Sequence, residues 1–103
     1  MIFRKRFADV VSRQLDLFER EEAGLLADCE AAERAYDRAP RDEAEERYGE
    51  YVDLVETGTE LLATLRDNYA STLAVENAVE YEQAFNRAVV KRLPQFGLEI
   101  EDT

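Results

Sequence analysis

The amino-acid sequence predicts an all-α protein: an elongated antiparallel three-helix bundle made of a long helical hairpin plus a shorter third helix. Three observations carry this. Apolar residues recur at spacings of four and three along two long segments. The breakers are few, four Gly and two Pro in 103 residues, whereas a meander of short strands needs a turn signal about every 8–12 residues. A composition 46% apolar and 36% charged suits a folded chain with a heavily solvated surface.

The first stripe is Val11, Leu15, Phe18, Leu25, Cys29, Ala32 and Tyr36. Such spacing keeps side chains on one face of a helix and calls for coiled-coil-like packing, so helix 1 is expected over about 2–37. Pro40 ends it, since proline disfavours helix at the preceding residue and lacks an amide proton. Asp42 is the expected cap of helix 2, with Glu43, Glu45 and Glu46 placed where the helix dipole favours negative charge.

Helix 2 is expected over about 42–69 from Ala44, Tyr48, Tyr51, Val55, Gly58, Leu62, Leu65 and Tyr69. Gly58 on this seam predicts close approach of a neighbour, at a propensity cost of ~1 kcal/mol against Ala. Carried past Tyr69 the register becomes mostly polar. A new apolar register of Ala74, Ala78, Tyr81, Phe85, Val89 and Leu93 begins instead. The seam therefore breaks at 68–73, where Asn68, Ser71 and Thr72 can end one helix and cap the next, a third helix over about 73–93. Residues 94–103 begin with Pro94, alternate over Gly97-Leu98-Glu99-Ile100-Glu101, and read as a short extended tail.

Three helices with short connections give helices 1 and 3 the same direction. Glu76 and Glu80 should then lie near Arg4, Lys5 and Arg6. At the other end Arg87, Lys91 and Arg92 should lie level with Glu50, Asp53 and the stretch from Glu21 to Glu30, in exposed pairs worth ~0–1 kcal/mol each. Glu22, a polar residue on the apolar seam, is expected to reach Arg87 at the helix edge. Helix 3 is too short to cover the hairpin, so Ala32, Tyr36, Tyr48 and Tyr51 near the apex face a single partner helix. A second copy of the chain is the expected cover, making a homodimer with these four residues as the partner or dimer surface.

The length allows one helical domain over 1–103. A net charge of −11 with pI near 4.4 argues against nucleic acid and anionic membrane as partners, both of which need a basic face. No segment approaches the roughly 20 apolar residues of a membrane span, and the N-terminal cations are not followed by the apolar core of a secretion signal. One cysteine, Cys29, on the apolar seam is consistent with a reducing cytoplasm.

No histidine is present, which removes Ser-His and Cys-His nucleophile pairs and the common zinc motifs. The scattered glycines make no phosphate loop. Carboxylates are what remain. Glu30-Ala-Ala-Glu33 and Glu50-Tyr-Val-Asp53 resemble the E-x-x-E and E-x-x-D pairs of the all-α nucleoside triphosphate pyrophosphohydrolases of the MazG type. Glu19-Arg-Glu-Glu22 offers a second start, and Glu21-Glu22-Ala23-Gly24-Leu25 is similar to that family's E-E-x-G-E segment, with Leu25 in place of the last acid. This resemblance implies an alternative activity in which Mg²⁺ is held by Glu30, Glu33, Glu50 and Asp53. The main expectation is a non-enzymatic helical interaction or assembly module with no catalytic residue, metal or cofactor.

Overall fold

The computed structural model describes residues 6–103. Among them the chain is all-α: α1 (Ala8–Glu21), α2 (Ala23–Arg38), α3 (Ala44–Ala70), α4 (Val75–Arg92), a 3₁₀ turn (Pro94–Phe96) and a short α5 (Gly97–Ile100). The expected start of helix 1 at residue 2, and the positions of Arg4 and Lys5, lie outside the described residues. The molecule measures 51 × 24 × 23 Å with a radius of gyration of 15.6 Å, against about 13 Å for a compact chain of this length. The elongation anticipated from the long hairpin is therefore present.

The expected single helix over 2–37 is two helices. Glu22 sits between them at φ −109°, ψ 28°, outside helical values. The hydrogen-bond ladder still passes through, with the Glu22 amide donating to the Phe18 carbonyl at 2.8 Å and the Leu26 amide to the Glu22 carbonyl at 3.0 Å. The result is a bend where the seam changes partner: α1 packs on α4, whereas α2 runs along α3. Glu22 marks that change.

Pro40 ends α2 as anticipated, but Asp42 does not cap α3. The Glu43 amide donates to the Pro40 carbonyl at 2.9 Å, the helix begins at Ala44, and no side chain caps it. The break at 68–73 is present, and of the two roles expected of its hydroxyls they take the first. Ser71 and Thr72 donate to the carbonyls of Asn68 and Tyr69 at 2.8 and 2.7 Å. They close the end of α3, and α4 starts without a side-chain cap.

Charge confirms that α1 and α4 run in the same direction. Arg6 pairs with Glu80 at 3.8 Å near one end, and Arg92 meets Asp16 at 2.7 Å and Glu19 at 2.8 Å near the other. The cation level with α1 is Arg92. No ion pair joins Glu22 to Arg87, nor Arg87 or Lys91 to any acid, among the described residues.

The core gathers Val11, Leu15 and Phe18 from α1, Val55, Leu62 and Ala63 from α3, and Tyr81, Phe85 and Val89 from α4. Tyr81 is fully buried, ringed by Phe7, Tyr69 and Phe85 at centroid distances of 5.6, 4.7 and 6.0 Å. Its hydroxyl donates to Gln14 Oε1 at 2.7 Å, the partner a buried phenol requires.

The tail expected to be extended is folded onto this core. Pro94 suits the first turn of a 3₁₀ segment because its missing amide proton is not needed there, and Leu93, Phe96 and Ile100 are buried while Leu98 points to solvent. Phe96 sits edge-on to Phe18, centroids 6.3 Å apart, and lies directly over Gly58. A Cβ at Gly58 would overlap its ring. The close approach expected at Gly58 is thus to an aromatic side chain of the C-terminal segment.

Gly58→Ala should cost about 1–3 kcal/mol through overpacking, whereas Gly49→Ala, in open space on the same helix, should add up to about 1 kcal/mol. Urea unfolding of both variants reads the contrast.

Burial pushes the Tyr81 phenol up to about 12, the Gln14 hydrogen bond acting in the opposite direction. A raised folded value stabilises the native state fully below the unfolded value near 10 and loses that contribution as pH climbs toward 12. Stability should therefore fall by roughly 2–3 kcal/mol over that interval on account of Tyr81, and Tyr81→Phe should flatten this decline in urea melts taken at increasing pH.

Candidate functional site

Beyond the reach of α4 and the C-terminal segment, α2 and α3 continue as a two-helix arm. Cys29 is the one residue of α2 that is buried. Its thiol is pushed up from its ordinary value by burial, and then by the charges of Asp28 and Glu30, which makes it a poor nucleophile.

Toward the tip, the four residues expected to form a partner surface fall on facing sides of the arm. Tyr36 on α2 and Tyr48 on α3 form a tilted ring pair with centroids 5.2 Å apart, yet remain 39% and 51% exposed. Ala32 and Tyr51 are half-buried beneath them. The Tyr51 phenol is pushed up, first by burial and then by the nearby Glu33 carboxylate.

Tyr51 also borders a cavity of about 460 Å³ shared with Cys29, Glu30, Glu33, Pro94 and Gln95. The C-terminal turn, expected to be an extended tail, thus forms one wall of it. Of the four carboxylates matched to the pyrophosphohydrolase pattern, Glu30 and Glu33 border this space. Glu30 also lies 4.0 Å from Arg34. Glu50 is turned to Arg47 at 3.1 Å, which is shared with Glu43 at 3.7 Å. Asp53 is exposed, and what it contributes is its main-chain carbonyl, accepting from the Thr57 hydroxyl at 3.0 Å. Among the described residues no three His, Cys, Asp or Glu side chains converge as a metal ion would need. In the second start, Glu19 is engaged by Arg92, whose guanidinium is held above its ordinary value, chiefly by the hydrogen bond to Asp16.

Arg66 is the polar residue the pattern did not single out. It is 5% exposed and satisfied on every side. Its Nε donates to Asp67 Oδ1 at 2.8 Å, Nη1 to Asn86 Oδ1 and the Ile100 carbonyl at 3.0 Å each, and Nη2 to the Thr103 carbonyl at 3.0 Å. The available signal was its position four residues after Leu62 and four before Ala70, on the buried face of α3. This is a structural clamp, tying α3 and α4 to the C-terminal segment.

Arg66→Met should cost about 2–4 kcal/mol by stranding the Ile100 carbonyl and its neighbours. It should also speed amide exchange in residues 94–103 more than in α1, as read by hydrogen-exchange mass spectrometry. Arg66→Lys should recover only part of this, because an ammonium cannot span acceptors on three segments.

Comparison of this chain with protein-family models, with curated proteins and with solved structures finds no match.

Proposed function

We propose that this chain is a helical interaction and assembly module with no chemistry of its own, working as a homodimer in a reducing cytoplasm and presenting the apex of its α2–α3 arm to a partner. The observation that carries this reading is the exposed Tyr36–Tyr48 pair at the end of an arm in which α2 buries a single residue. Tyrosines give large contact area at low conformational cost and keep a hydroxyl for the wet rim, which suits them to interfaces. The charge of −11 directs the choice of partner toward surfaces that carry cations and away from nucleic acid. No described helix is long and apolar enough to cross a membrane.

The rival reading, Mg²⁺-dependent nucleotide pyrophosphohydrolysis, finds two of its four carboxylates at one cavity and the other two elsewhere. Incubation with Mg²⁺ and a panel of nucleoside triphosphates should release no pyrophosphate, and Mg²⁺ should not raise Tm.

Sedimentation equilibrium should return a dimer at tens of micromolar, and a monomer would refute the assembly reading. Tyr36→Ser with Tyr48→Ser should cost only about 1 kcal/mol of stability, these rings being exposed, but should abolish retention of partners captured from the native host. Undiminished retention would remove the apex from the proposal.

A further inference from the structure

A second face is left open where α1 and α3 stand apart. The groove between them, about 180 Å³, has Phe18 and Leu65 at its base, Leu17 and Leu61 on its banks, and Gln14, Glu21 and Glu22 along its edge. Both bank residues are large, apolar and well exposed, Leu17 at 46% and Leu61 at 40%. These leucines leave an apolar patch beside the groove. An isologous contact uses one patch twice, and a residue on its two-fold axis meets its own counterpart.

The charges on α1 give the orientation. Arg13 lies four residues before Leu17 and Glu21 four after, on the same stripe of the helix. Both are exposed, and neither takes part in an ion pair among the described residues. If two α1 helices cross antiparallel about a two-fold axis at Leu17, residue 17−n meets residue 17+n. Arg13 of one copy then faces Glu21 of the other, twice over, and Gln14 faces Arg20. A parallel crossing would set Arg13 on Arg13 and Glu21 on Glu21. The stripe is its own complement only when reversed.

The net charge of −11 opposes self-contact over most of the surface, so a self-interface needs reciprocal ion pairs across it. Arg92 already engages Asp16 and Glu19, but Glu21 and Glu22 border the groove, so a self-contact here depends on Arg13 of each copy reaching Glu21 of the other.

We infer that a second copy of this chain docks on the α1–α3 groove through an antiparallel α1–α1 contact centred on Leu17, with reciprocal Arg13–Glu21 pairs. This rests on the assembly reading above and leaves the apex tyrosines of both copies free for another protein.

Sedimentation velocity over a concentration series tests it on the full chain, with circular dichroism to confirm that each variant stays helical. Leu17→Glu should raise the dimer Kd at least about a hundredfold, because it replaces a central apolar anchor in both copies at once. Arg13→Glu and Glu21→Arg should each raise it about tenfold, and the double swap should restore it, since the two positions are too far apart along one helix to pair with each other. A monomeric wild type would overturn both this inference and the assembly reading. A wild-type dimer indifferent to Leu17→Glu would overturn the groove interface alone. Single swaps that weaken association without rescue by the double swap would overturn the antiparallel register.

Discussion

The packing of Phe96 over Gly58 is the contact on which the arrangement of the helices depends. α3 can accept the ring only because residue 58 lacks a side chain, and the ring in turn touches Phe18 of α1. One aromatic residue thereby joins three parts of the chain that otherwise have little in common. Arg66 holds the same segment from the polar side, directing its guanidinium at main-chain oxygens of Ile100 and Thr103. Apolar insertion and charged clamp act on residues fewer than ten apart. The C-terminal segment is therefore a structural wedge, without which α1 and α3 would have little to bring them together.

Much of the architecture was legible from periodicity. The stop at Pro40, the change of register at 68–73, the close approach at Gly58 and the common direction of α1 and α4 all follow from local patterns that tertiary packing reinforces. The rest depended on contacts distant in sequence. Alternation over five residues at 97–101 is too short to distinguish an extended tail from one turn of helix, and the decision belonged to a slot formed some forty residues earlier. Arg66 was hidden because charged residues ordinarily face water unless partners are visible, and three of its four acceptors lie twenty or more positions away. The bend at Glu22 was foreshadowed by a polar residue on an apolar seam, but seam position alone does not say which helix each half will pack against.

The carboxylates show the same limit from the functional side. A chain with 24 acids generates helical pairs at metal-ligand spacing in several places. What distinguishes a site is convergence, and here ion pairing draws the candidates apart: Arg47 takes Glu43 and Glu50, and Arg92 takes Asp16 and Glu19. The sequence also indicated a face that would lack a third helix, and the exposed Tyr36–Tyr48 ring pair lies there.

The distribution of burial along α2 and α3 has a consequence for motion. Local opening costs least where few apolar contacts must be broken, and α2 contributes one buried side chain while α3, continuing past it, contributes most of its buried face beyond Val55. The two ends of the molecule therefore differ in packing: a firmly packed body at the α4 end, and an arm whose core is thinner. In the proposed assembly, that difference would let the tip follow the outline of a partner while the body holds the base of the arm in a constant position.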